Sequence, residues 1–191
     1  MKALVLASAL SLFAGCGAKS ISVGSIPFPA EKPVFVDEAG KETAGLPPST
    51  EPFRLVFFDS PWCPQCAEAW TALGSASETF PPGSVRVYRI RFDRERIYVQ
   101  GESRETSPLH PAAKTEAGAP PPEAARFPVT TLTALPGPFR DQFSVGQVPV
   151  LLLLDESGSV EKRWIGFSPS LGDQLAEEVR RRAKTPLPAG K

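Results

Sequence analysis

The chain is short of several things that would announce a function. Neither sign of charge is in excess: Lys and Arg number 21, Asp and Glu 21, and the net charge is zero. Nothing in that balance points to a nucleic-acid surface or an acidic partner. There is one histidine, His110, whereas a closed zinc site needs four ligands. Beyond the first fifteen residues no apolar run is long enough to cross a bilayer. Only three cysteines are present, Cys16, Cys63 and Cys66. Proline, by contrast, is abundant at 22 residues, which implies extended linkers and long loops around a modest core. Hydrophobic residues at 41% and charged residues at 22% are ordinary for a globular protein. A length of 191 residues suits one domain with an export segment and tails.

The N-terminus reads as a targeting segment, not as fold. Lys2 supplies one positive charge and an apolar run from Ala3 to Ala14 follows. That run has the length of a signal-peptide core and is short for a transmembrane helix. It ends in Leu12-Phe13-Ala14-Gly15-Cys16. This resembles the lipobox of bacterial lipoproteins, with Phe13 where Leu is usual. The alternative is an ordinary secretory signal cut nearby. The lipobox resemblance implies a signal peptide over 1–15, lipidation of Cys16 and a location in the bacterial cell envelope, facing the periplasm or exterior. Two or three acyl chains anchor a protein stably, at about 0.8 kcal/mol per buried methylene. Export also places Cys63 and Cys66 where disulfides persist.

Residues 16–33 read as a tether of Ser, Gly and Pro. Val34-Phe35-Val36 predicts a short strand before a turn at 38–41. Phe53 to Phe58 is a nearly continuous apolar run and predicts a buried strand. Ser60-Pro61 turns the chain into Trp62-Cys63-Pro64-Gln65-Cys66. A helix is expected next, with Pro64 at its first position and Cys66, Ala69, Trp70, Leu73 and Phe80 on one face; Pro81-Pro82-Gly83 ends it. Val85 to Asp93 predicts a half-exposed strand with a bulge, because its arginines interrupt the alternation. Residues 94–126 read as an irregular Pro- and Ala-rich insertion. A short helix is expected over 138–143. Val148 to Leu154 predicts a second buried strand with Pro149 at its start, and 155–158 a turn. Residues 159–165 predict an outer strand. A last helix capped at Ser168-Pro169 or Ser170 carries Leu171, Leu175 and Val179 on one face. Its terminal arginines suit a helix C-terminus. Residues 185–191 form a tail.

Three chemistries suit Cys63 and Cys66. As a staple, a four-residue ring stabilises by only about 2 kcal/mol. As a metal site, two thiolates suit Cu(I), which keeps open a non-enzymatic binding module or copper carrier. As a redox pair, the first cysteine would sit at a helix N-terminus, where unpaired N–H groups and the helix dipole favour a thiolate. It would attack a substrate disulfide, and Cys66 would resolve the mixed disulfide. Cys63 is then the exposed nucleophile and Cys66 the buried resolver.

Trp62-Cys63-Pro64-Gln65-Cys66 after an apolar strand, followed by Val148-Pro149 before another, resembles the thioredoxin superfamily. More narrowly it is similar to the exported, membrane-tethered TlpA/ResA-like branch. Leu154-Asp155-Glu156-Ser157-Gly158 and Trp164-Ile165-Gly166-Phe167 match that branch as well. The resemblance implies an α/β fold with a central mixed sheet flanked by helices over 34–184. It implies a cis Pro149 and a substrate surface made by Trp62, Pro64, Gln65, Val148 and Pro149. It favours a reductase for exported protein disulfides, with those of apocytochrome c as one candidate, supplied by a membrane electron donor. It implies no cofactor and no resident metal. Two positions depart from it: Phe57 stands where thioredoxin has a buried aspartate, and Ala69 where ResA-like members have a glutamate. The proton acceptor for Cys66 is therefore unassigned, with Asp59 the nearest other carboxylate in sequence. The Thr-x-x-Cys loop of peroxiredoxins is absent.

Overall fold

The structure is a computed structural model and describes residues 21–91, 127–143, 145 and 147–184. Residues 1–15, expected as a signal segment, Cys16, residues 94–126 with His110, expected as an insertion, and residues 185–191, expected as a tail, lie outside the described residues. In chain order the elements are β1 (Phe35–Asp37), β2 (Glu42–Thr43), β3 (Phe53–Asp59), α1 (Pro64–Ser77), β4 (Val85–Arg91) and β5 (Val129–Ala134). Then come α2 (Pro136–Gln142), β6 (Val150–Leu154), β7 (Val160–Ile165) and α3 (Leu171–Ala183). The strands form one mixed sheet in the order β2-β1-β5-β4-β3-β6-β7. β3, β4 and β5 run parallel; β6 is antiparallel to β3, and β7 to β6.

β3 and β6 are apolar on both faces because both faces are covered. All five residues of β6 are buried. Alternation along β3 sends Phe53, Leu55 and Phe57 into one core and Val56 and Phe58 into the other. The first core packs α1 and α3 through Trp70, Leu73, Leu171, Leu175 and Val179. The second is closed by α2 through Phe139 and by the N-terminal segment through Ile21, Phe28 and Val34. Each such side chain contributes about 1.5–3 kcal/mol when fully buried.

Several expectations need correction. The stretch expected as a tether packs against the domain from Ile21 onward. Ile21 and Phe28 are buried, Gly24 N–H donates to Val160 O at 2.7 Å, and Val160 N–H donates to Ser25 O at 2.8 Å. Among the described residues β4 carries no bulge: it pairs with β3 without interruption from Phe53–Val85 to Asp59–Arg91, and residues 92 and 93 of the expected strand lie outside them. Its arginines fit because Arg86 pairs with Glu51 and Arg89 with Asp59. β5 had no sequence expectation. The helix expected over 138–143 starts two residues earlier, at Pro136. α1 ends at Ser77, so Phe80 lies beyond it yet still packs on the first core. Ser170 is the N-cap residue of α3, but its side chain makes no capping bond to the helix backbone. It accepts instead from the Gln174 amide at 2.9 Å. The turn after β6 is as expected: Gly158 has φ +88°, and the Arg54 guanidinium holds it through Asp155 O at 2.7 Å and Glu156 O at 2.9 Å.

Candidate functional site

β3 carries the chain to the C-terminal end of the parallel strands and stops at Asp59. Ser60, Pro61 and Trp62 make the turn, closed by Cys63 N–H donating to Ser60 O at 3.1 Å. Cys63 is the N-cap residue of α1, with extended backbone angles, and Pro64 opens the helix. The Cys63 Sγ accepts a hydrogen bond from Cys66 N–H at 3.2 Å. A sulfur in that position faces the unpaired N–H groups and the positive end of the helix dipole. Negative charge on Cys63 is thus favoured over negative charge on Cys66, which lies inside the first turn.

Cys63 and Cys66 are joined in a disulfide, with Cα atoms 5.3 Å apart. Cys63 is 8% exposed and Cys66 2%. The expected order of exposure holds, but Cys63 shows only a sliver of surface in this oxidised form. Trp62, Pro64 and Gln65 stand exposed beside it. The Val148–Pro149 bond is cis, as the resemblance implied. Pro149 is buried, its carbonyl accepts from Gly166 N–H at 2.8 Å, and Val148 packs on the core that contains both cysteines. The residues expected at the site therefore gather at one end of the sheet, drawn from the β3–α1 turn and the loop before β6. Cys16 is outside the described residues.

Asp59 has the same parity on β3 as Phe57 and so faces α1, where it is 5% exposed. Arg89, on the neighbouring strand, donates from Nε to Asp59 Oδ2 at 2.7 Å. Its guanidinium carbon lies 4.9 Å from the centre of the Trp70 ring, and Trp70 stacks on Phe57 at 5.3 Å. Trp70 follows Cys66 by one helical turn on the buried face of α1. Sequence reasoning missed Arg89; in register it lies beside Phe57, two residues before the partner of Asp59, and the only signal was an arginine inside a β-rich run. Ser60 Oγ and Trp70 Nε1 are buried without a hydrogen-bond partner. Among the described residues no three metal-ligating side chains cluster.

No family model matches the chain, and no curated protein matches it either. Solved structures do. A thiol:disulfide interchange protein from Bacteroides sp. has 16% identity and a TM-score of 0.52, covering 87% of this chain and 93% of that one. The thioredoxin domain of a thiol-disulfide oxidoreductase from Bacteroides vulgatus has 14% identity and a TM-score of 0.50, covering 84% and 97%. A thioredoxin-like protein from Aeropyrum pernix has 20% identity and a TM-score of 0.50, covering 78% and 88%. At these identities the likeness speaks to architecture. The chain has a thioredoxin-like α/β fold, with the disulfide-bonded pair Cys63 and Cys66 where β3 gives way to α1.

Proposed function

We propose that this protein is an exported thiol–disulfide oxidoreductase of the bacterial cell envelope. Lipid on Cys16 tethers it to the membrane, and it reduces disulfides of other exported proteins, with cytochrome c maturation as one candidate process. The observation that carries the proposal is the placement of Cys63 at the N-cap of α1, with its sulfur 3.2 Å from Cys66 N–H. In the reduced form the Cys63 thiolate attacks a substrate disulfide and expels one substrate sulfur, which takes up a proton. Cys66 then loses its proton and attacks Cys63 Sγ. The second substrate sulfur leaves, and the Cys63–Cys66 disulfide forms. Two electrons pass to the substrate, so a membrane dithiol donor must return two for each cycle.

Cys66→Ser is expected to trap partners as mixed disulfides through Cys63, and Cys63→Ser to abolish exchange. Full activity in Cys63→Ser would remove the assignment. The reduction potential decides the direction. A value of about −270 mV supports a reductase, and one of about −120 mV makes the protein an oxidant. The anchor is tested apart from the chemistry: Cys16→Ala is expected to release the protein from membranes.

A further inference from the structure

The chain is fastened to the domain soon after Cys16. Arg163 Nη1 donates to Ile21 O at 2.7 Å, and Gly24 and Ser25 are hydrogen-bonded to Val160. Ile21 follows Cys16 by five positions. A fully extended chain reaches at most about 3.6 Å per residue, so Cys16 lies within about 18 Å of Ile21. Whatever holds Cys16 therefore holds this part of the domain close to itself.

That part is the end of the sheet opposite the disulfide. Val160 pairs with Leu154, and Leu154 with Arg54 at the start of β3. Cys63 comes after Asp59, where β3 stops. Five strand positions, about 17 Å, separate the two ends. At the Val160 end the chain makes a turn closed by Ser25 N–H donating to Ser22 O at 3.0 Å. Val23 in that turn is 63% exposed and Ile26 beside it 60%. They are two of the four large hydrophobic side chains exposed among the described residues. Ile26 lies against the β6–β7 turn, its Cγ2 3.7 Å from where a Cβ on Gly158 would stand.

α3 brings positive charge to the same end. It begins level with Trp164, whose Nε1 donates to Gln174 Oε1 at 3.1 Å. It finishes level with Glu161, which pairs with Arg182. Residues 177–184 hold Arg180, Arg181, Arg182 and Lys184 against Glu177 and Glu178. Arg180, Arg181 and Lys184 are exposed.

We propose that Val23, Ile26 and the cationic end of α3 seat the domain on an anionic bilayer surface, with the disulfide on the far side. The inference rests on the lipid on Cys16 proposed above and is independent of the exchange chemistry. The lipid brings the Val160 end to the membrane. Val23 and Ile26 enter the headgroup boundary, and the cations meet lipid phosphates; apolar burial and attraction to anionic lipid act together at such surfaces. Cys63 and Cys66 then stand about 17 Å further out. The dithiol donor and the clients must reach them from the aqueous side.

The test uses the mature full chain, oxidised, so that an introduced cysteine is its one free thiol. A fluorophore is attached at Ser22→Cys or, at the redox end, at Ser170→Cys. Each protein is bound to phosphatidylcholine–phosphatidylglycerol vesicles with spin-labelled headgroups, and mass spectrometry reports its acyl chains. Position 22 is expected to lose most of its emission to the spin labels and position 170 almost none. Val23→Asp/Ile26→Asp is expected to restore emission at position 22, as is Arg180→Glu/Lys184→Glu, with the acylated chain still on the vesicles. Acylated, bound protein quenched equally at both positions would overturn the seat and leave the anchor standing. Protein that carries no acyl chain and does not bind would overturn both.

Discussion

Arg89 reaches diagonally across neighbouring parallel strands to Asp59, with Arg89 Nε 2.7 Å from Asp59 Oδ2. Their side chains are only 11% and 7% exposed. Removing one partner strands a buried charge, which costs about 3–5 kcal/mol. Arg89→Met is therefore expected to lower unfolding free energy by that amount in urea titration. The double variant Asp59→Leu/Arg89→Met is expected to regain most of it. A loss of under about 1 kcal/mol in Arg89→Met would show that the pair is screened by solvent.

Glu51 gives a pH-dependent prediction. Hydrogen bonds from Arg86, at 2.9 and 3.1 Å, and from Ser49, at 2.7 Å, hold its carboxyl at about 2, below the ordinary 4.5. The folded state thus favours the carboxylate. Its contribution is complete above pH 4.5 and is lost as pH falls towards 2. Arg86 is partly exposed, so the contribution after screening is about 1 kcal/mol. Glu51→Gln is expected to be less stable than the parent by that amount at pH 7. The gap should close on acidification, as followed by thermal melts across the acid range.

Phe28 is buried between Phe35 and Phe143, with ring centroids at 5.6 and 5.4 Å. Phe28→Ala is expected to cost about 3–5 kcal/mol, read from the shift in denaturation midpoint at constant slope. A chain starting at residue 34 is expected to be weaker still. Equal stability of that shortened chain would mean that residues 21–33 contribute no net packing energy.

Gly172 is the second residue of α3, where that helix meets α1. A Cβ there would come within 3.1 Å of Ala72 O. Ala would favour the helix by up to about 1 kcal/mol, but the close approach is to backbone, which yields little. Gly172→Ala is expected to be destabilising by about 1 kcal/mol and Gly172→Leu by more, measured by the same denaturation.

Much of this architecture was legible because burial on two faces leaves continuous apolar runs. β3 and β6 are such runs, and Pro64 after Cys63 marks the start of α1. The cysteine pair and Pro149 could be singled out because their chemistry is carried by residue type and spacing. β5 could not: in Val129–Ala134 three threonines share the strand with Leu132 and Ala134, which alone are buried. Its β-branched residues were the only trace. Ile21 and Phe28 looked like tether because isolated apolar residues among Ser, Gly and Pro have no period. The partnership of Asp59 with Arg89 needs the parallel register of β3 and β4, which no local pattern encodes.

The hydrogen bonds of Gly24 and Ser25 with Val160 have a consequence for self-association. An open strand margin is a template on which other chains can add. Here the foot of β7 is already occupied, and the opposite margin, β2, is only two residues long. Addition of a further strand is thereby obstructed at the Val160 end of β7 and has little to pair with at β2.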